Sequence, residues 1–363
     1  MSITAHTPVQ LRFFTPNRRF ALEMGGELMA PTVGYSTWGQ LNAARDNVIW
    51  VCHALTGTSD VSAWWPGIFG AGRPLDPTRH FIVCANVLGG CYGSAGPLSI
   101  DPTRGVAYRG DFPNITIGDM AAHQQLLMEH LGVRGIQLLI GASMGGFQAL
   151  ELALREPERV KRLALVASSD RQPPQALAQA ELQCEFIRHD PKFQGGHYPL
   201  DDAPERGLSL ARKLGHLTYR SPEELDRRFG RLLRDDGRPQ VLSYLDHHGQ
   251  KLVRRFDAVS YLRLTEAMNR FDRSQCLRET PPQQPTLVVS IDSDQLYYPS
   301  EQKRVAAALP RGNLLTLDSL YGHDGFLVES HRLVGPLMDL LGTTPVACTR
   351  PAAAGERRMR LCG

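Results

Sequence analysis

The sequence predicts an α/β protein, a mostly parallel central sheet flanked by helices. Three observations carry this. Runs at 47–53, 81–86, 138–142, 162–167 and 286–291 are almost continuously apolar, the pattern of strands buried on both faces. Helix-forming stretches at 116–131, 144–155 and 300–309 lie among them, and strands that alternate with helices build parallel sheets. Finally, the apolar run ending at Ile140 leads into Gly141-Ala142-Ser143-Met144-Gly145 and a helical segment. This is a strand, a tight turn and a helix with a serine at the apex.

With 363 residues, 42% hydrophobic and 21% charged, the chain can bury a large core, as one domain with an insertion or as two domains. The net charge is +3, and the tail from Arg350 holds four arginines against one glutamate. The body is therefore near neutral and offers no basic face for nucleic acid. The seven cysteines are widely spaced, without a Cys-x-x-Cys pair, which argues against a disulfide framework or a metal site and for a reducing, cytoplasmic setting. Neither a signal peptide nor a membrane span is expected.

Residues 1–30 read as an introductory strand or hairpin turning at Gly25-Gly26, and 33–38 as a strand. The 47–53 strand ends in the turn Ala54-Leu55-Thr56-Gly57, and Trp64-Trp65-Pro66-Gly67 is loop-like. The 81–86 strand runs into the glycine-rich loop 87–94, which fits neither Gly-x-Gly-x-x-Gly nor the P-loop pattern, so nucleotide-phosphate binding is rejected there. The 116–131 helix carries Asp119 near its start and Gly132 past its end. Residues 171–282 break the alternation. Helical patterns at 179–188, 208–214, 221–233 (Ser221 as N-cap, Glu224 three on) and 262–271 predict a helical insertion, a lid that shapes a pocket and excludes water. The core then comprises 1–170 and 283–344. It resumes with the 286–291 strand, a helix at 300–309, a last strand at 314–317 and a final helix over 328–341. Residues 345–363 are expected to be disordered.

A serine is a poor nucleophile until a base takes its proton, and the base needs a carboxylate to hold its tautomer. In α/β-hydrolase sheets the order along the chain is Ser, then Asp or Glu, then His, the last two on loops after late strands. Ser143, Asp292 or Asp294, and His323 stand in that order. Asp294 is favoured, because Asp292 at the strand terminus could serve only as a local hydrogen-bonding group, but the pattern alone does not separate them. His53 reads as structural, and His216, His247 and His248 fall in the insertion. The Met144 N–H, and the Leu55 N–H on the loop after the early strand, are the expected oxyanion donors.

Several stretches resemble the homoserine O-acetyltransferases of methionine biosynthesis: Cys52-His53-Ala54-Leu55-Thr56-Gly57, 86–94, Gly141–Gly146, 211–219, 255–262 and Tyr321-Gly322-His323-Asp324. The resemblance runs from about residue 30 to 340. It implies an α/β-hydrolase fold and ping-pong acyl transfer, in which Ser143 takes an acyl group from acyl-CoA and passes it to an amino-acid hydroxyl. It also implies Asp294 as the acid, and as substrate-binding residues Arg212, which takes the acceptor's carboxylate, Tyr219 near it, and Asp324 as partner of the acceptor's amino group. Acyl-CoA is then a substrate, no cofactor or metal is needed, and a homodimer pairing through the insertion is expected. The chain departs from the family at 169–179, where Pro173 and Pro174 alter the approach to the insertion. Relatives using serine as acceptor or succinyl-CoA as donor share the triad, and an esterase needs no more than the triad. A binding protein without catalysis would not require all three members.

Overall fold

The computed structural model describes residues 10–342; the tail assigned to disorder lies outside them. The chain opens with β1 (Arg12–Phe14), the hairpin β2 (Arg19–Ala21) and β3 (Glu27–Met29), then β4 (Val33–Trp38) and β5 (Val48–Cys52). The one-turn α1 (Val61–Trp64), β6 (Phe81–Ala85) and the short pair β7 (Ile100–Asp101) and β8 (Val106–Ala107) follow. Next come α2 (Ile117–Leu131), β9 (Ile136–Ala142), α3 (Met144–Arg155) and β10 (Leu163–Val166). Six helices then run without a strand: α4 (Pro174–Arg188), α5 (Glu205–Tyr219), α6 (Pro222–Phe229), α7 (Gln240–Val253), α8 (Ala258–Asn269) and α9 (Ser274–Glu279). The described chain closes with β11 (Thr286–Ile291), α10 (Pro299–Ala308), β12 (Gly312–Leu317), α11 (Gly325–Val328) and α12 (Val334–Leu341).

Eight strands form one sheet in the order β1-β4-β6-β5-β9-β10-β11-β12. It is parallel from β6 to β12; β1 and β4 pair antiparallel at one edge. The period of two along β5 divides its side chains between two cores. Val48, Trp50 and Cys52 join the cluster that holds Met120 and Leu150, and Ile49 and Val51 join the one that holds Trp65 and Phe326. Both faces are therefore covered, and each fully buried large side chain contributes about 1.5–3 kcal/mol. β12, at the other edge, is only half-buried, unlike the fully buried strands expected throughout.

Helix starts follow local chemistry. Thr116 and Asp119 form a reciprocal capping box on α2, and Gly132 closes it in the left-handed conformation. At α6 only half of such a box forms: Ser221 accepts from the Glu224 N–H at 3.0 Å, while the Glu224 carboxylate faces Arg220 and Arg228. That helix ends at Phe229, short of the expected 233. Pro174 is the first residue of α4, so the two prolines begin the helix five residues before the expected start rather than delaying it. Two further helices, α7 and α9, lie where none was expected, and Trp64 closes a helical turn instead of a loop. The final helix is broken, with a 3₁₀ turn at Ser330–Leu333 before α12, since Pro336 suits only a helix's first turn.

Candidate active site

The turn from β9 to α3 sets Ser143 at φ 55° and ψ −125°, a conformation costing a non-glycine residue about 1–3 kcal/mol. Close packing holds it there. A Cβ on Gly141 would lie 1.9 Å from the Gly145 carbonyl oxygen, and one on Gly145 would lie 2.1 Å from that of Cys52. The Ser143 N–H donates to Val166 O at 3.0 Å, and its carbonyl accepts from Ser168 Oγ at 2.9 Å. Beside the elbow, a buried amide row runs from Trp50 Nε1 through Gln124 to Gln148, whose Nε2 donates to His53 O. This row ties the end of β5 to α3.

Ser143 Oγ lies 2.9 Å from His323 Nε2, and His323 Nδ1 lies 2.7 Å from Asp294 Oδ2. All three are buried. The other Asp294 oxygen accepts from the backbone N–H groups of Leu296 and Tyr297 at 2.8 and 3.0 Å, so the carboxylate cannot rotate freely. Asp292 Oδ1 instead accepts from the Ser319 N–H. With Nδ1 donating to Asp294, Nε2 is left to accept the Ser143 proton. Burial works to lower the His323 pKa, but the Asp294 charge and hydrogen bond, with Asp324 beyond, carry it above the ordinary value. His53 stays structural: its Nδ1 donates to Ala54 O, its Nε2 accepts from the Val87 N–H, and burial holds its pKa down at about 4.

A cavity of about 360 Å³ opens over Ser143. Leu55, Ser143, Arg212, Tyr219, His323 and Asp324 line it together, although they come from four separate parts of the chain. Met144 is the first residue of α3, a position whose N–H has no partner within the helix. Arg212 and Tyr219 share one face of α5, with the guanidinium carbon 5.5 Å from the phenol ring centre. Arg212 makes no ion pair among the described residues, so its charge is uncommitted, unlike an arginine held in a surface salt bridge.

Three cations went unnoticed in the sequence. Arg220 pairs with Asp324 at 3.2 Å, 104 residues away, and no local pattern announces such a pair. Lys251 and Arg255 also line the cavity. Arg255 donates to Thr56 O at 2.8 Å and to the Tyr92 hydroxyl at 2.5 Å, joining the helical segment to both loops below. It opens the 255–262 stretch, which was the available signal. Burial raises the Asp324 pKa against the lowering pull of Arg220, His323 and Arg212, and the net shift is upward.

A family model described as the alpha/beta hydrolase fold matches residues 47–330. The homoserine O-acetyltransferase of Chlorobaculum parvum is 46% identical over 316 residues, covering 86% of this chain and 89% of that one. The homoserine O-acetyltransferase of Nostoc punctiforme is 44% identical over 332 residues, covering 88% and 93%. Among solved structures, the homoserine O-acetyltransferase from Bacillus anthracis superposes with a TM-score of 0.86 at 23% identity over 94% of this chain and 99% of that one. Esterase E22 superposes at 0.84 and 24% identity over 92% and 100%, and at such identities the likeness is one of fold. On the strength of the two sequence relatives, the chain belongs to the homoserine O-acetyltransferase family, built on the α/β-hydrolase fold.

Proposed function

We propose that this protein transfers acetyl from acetyl-CoA to the hydroxyl of L-homoserine through an acetyl-Ser143 intermediate. The observation that carries the reading is the Ser143–His323–Asp294 hydrogen-bonded row at the base of a cavity whose wall holds Arg212, which has no carboxylate partner among the described residues. An esterase has no need of an uncommitted guanidinium there, whereas an amino-acid acceptor brings a carboxylate that pairs with it.

In the first half-reaction His323 Nε2 takes the Ser143 proton as Oγ attacks the thioester carbon. The oxyanion is received by the Leu55 and Met144 N–H groups. The carbon–sulfur bond breaks and His323 returns the proton to the CoA sulfur. In the second, the homoserine hydroxyl enters with its carboxylate on Arg212 and Tyr219 and its ammonium on Asp324. His323 takes the hydroxyl proton, the new ester forms, and Ser143 leaves with that proton. Atoms balance with CoA as a product and no cofactor. Lys251 and Arg255 supply positive charge for the phosphates of the donor.

The helices between β10 and β11 form a lid that carries the acceptor-reading residues and excludes water. Apolar side chains left exposed on α4, α5 and α7, among them Phe186, Leu217 and Leu242, support pairing of two copies through this lid. A light-scattering mass of one chain in solution would contradict that pairing. Free buried thiols at Cys52, Cys84 and Cys184 fit a reducing cytoplasm.

The test is thiol release from acetyl-CoA and from succinyl-CoA, each with L-homoserine, L-serine or no amino acid, with Ser143→Ala as control. Fast release only with acetyl-CoA and homoserine is expected. Preference for serine or succinyl-CoA would replace the substrate assignment, and release indifferent to the amino acid would mean a hydrolase.

A further inference from the structure

Behind the triad lies a buried amide that belongs to none of its loops. Gln302, the fourth residue of α10, is fully buried and does not line the cavity. Its Nε2 donates to Ser168 O at 3.1 Å and to Tyr297 O at 3.0 Å, and its Oε1 accepts from Ser290 Oγ at 3.4 Å. An amide nitrogen has two protons to give, and both are spent. Turning the amide over would set its oxygen against two carbonyl oxygens.

Each of those carbonyls belongs to a residue that holds one end of the triad. Ser168, just past β10, donates its hydroxyl to Ser143 O at 2.9 Å. It lies hard against the start of α3, where a Cβ on Gly146 would stand 2.4 Å from both Ser168 Cβ and Oγ. Tyr297 donates its backbone N–H to Asp294 Oδ1 at 3.0 Å. Its ring centre is 5.4 Å from that of His323 and 5.6 Å from that of Phe147 on α3. Ser168 and Tyr297 are 2% and 0% exposed, so water does not replace a lost donor, and a broken link leaves a buried carbonyl unpaired. A continuous row of hydrogen bonds therefore runs from Ser143 through Ser168, Gln302 and Tyr297 to Asp294.

We propose that Gln302 is a positioning residue for the triad: it fixes the acid's loop against the nucleophile's turn, so that His323 meets Ser143 and Asp294 at once. The sheet does not set this spacing by itself. β10 lies between β9 and β11, and Ser143 and Asp294 both stand past the ends of their strands. Gln302 makes the connection beyond those ends, and as a neutral amide it adds no charge to compete with His323 for the Asp294 carboxylate. This rests on the reading of Ser143, His323 and Asp294 as the reacting groups.

The experiment is steady-state kinetics on both substrates, a pH profile of kcat/KM and single-turnover formation of the acetyl-enzyme, with thermal melts alongside. The variants are Gln302→Met, Gln302→Asn, Gln284→Met and Ser143→Ala. Gln302→Met keeps the length of the side chain and removes both donors. It is expected to slow acetyl-enzyme formation and kcat alike, about tenfold, since a shift of about 1 Å in such a site costs about a hundredfold. Both KM values stay in place. The acid limb moves down toward the ordinary 6.5, because a loosened Asp294 no longer holds the base as high. Gln302→Asn draws the amide back by one carbon, away from both carbonyls, and carries the same expectation should Gln302→Met fail to fold. Gln284 is a matched control: it is 7% exposed, its Nε2 donates to Pro157 O at 2.9 Å, and it stands before β11, at the end away from Asp294. Gln284→Met is expected to lower the melting temperature and leave kcat and the limb unmoved. Parent-like kcat in the Gln302 variants, or a lower kcat with the limb in place, overturns the positioning role. So does an equal shift of the limb in Gln284→Met. If any of these is found while Ser143→Ala is inactive, the function stands. Turnover in Ser143→Ala at the parent rate removes the reading of the triad, and the positioning role with it.

Discussion

Asp292 and Asp294 stand two residues apart just past β11 and serve different partners. Asp294 Oδ2 is 2.7 Å from His323 Nδ1, while Asp292 Oδ1 accepts the Ser319 N–H at 2.9 Å on the loop that carries His323. In the proposed mechanism one orients the base, and the other holds its loop.

Asp294→Asn is therefore expected to lower kcat on the order of 10⁴-fold, because an amide favours the wrong histidine tautomer. Asp292→Asn keeps an oxygen for Ser319 and is expected to cost less than about tenfold. Comparable losses in both variants, measured by thiol release, would show that the two carboxylates share the role.

The upward shift of His323 places the acid limb of kcat/KM above the ordinary histidine value of 6.5, since only the unprotonated base can take the Ser143 proton. The same shift has a stability consequence. The folded pKa exceeds the unfolded one, so the contribution of the Asp294–His323 pair is fully present below the unfolded value and is lost as pH rises through the folded one. Activity is expected to climb over the window in which this contribution declines. A pH–rate profile with melts at each pH checks both, and a limb centred below 6.5 refutes the shift.

Arg220→Met removes a cation that lowers the Asp324 pKa. The carboxyl then rises further and is less ionised near neutral pH. The homoserine KM is expected to increase several-fold at pH 7, with the deficit shrinking as pH is raised. Both side chains of the pair are largely buried, 13% and 15% exposed, so a stability loss of about 3 kcal/mol is also expected. A deficit that is the same at every pH would assign Arg220 to the fold alone.

Two glycines make a contrasting pair. Gly141→Ala puts a Cβ into the Gly145 carbonyl and is expected to cost about 3 kcal/mol or more, as the elbow cannot yield without losing its strained serine. Gly335 in α12 has open space around its Cβ position, and Gly335→Ala is expected to stabilise by about 0.5–1 kcal/mol. Denaturant midpoints decide both.

Features written in a few adjacent residues were legible in the sequence. The Gly141–Gly145 elbow, the helix expected over 116–131 and the buried strand at 286–291 depend on spacing over one or two turns, and each forms where expected to within a residue. The insertion was harder to read. Its helices bury narrow stripes, and α7, with Asp246, His247, His248 and Gly249 inside it, has an apolar pattern too interrupted to announce a helix. The α5 boundaries at 205 and 219 exceed the expected 208–214 because Arg212 and Tyr219 face a cavity rather than a core. Pairs such as Arg220 with Asp324 are set by how α5 meets the loop after β12, which only the packed chain determines.

The helix α5 has a consequence for how such a protein changes over generations. In the proposed mechanism the proton moves between residues on sheet loops, whereas the proposed acceptor-reading residues Arg212 and Tyr219 ride on one helix inserted between β10 and β11. Mutation can remodel the helix, and with it the choice of acceptor, while inheritance leaves the proton path intact. New tastes in substrate can thus be acquired without rebuilding the engine that serves them.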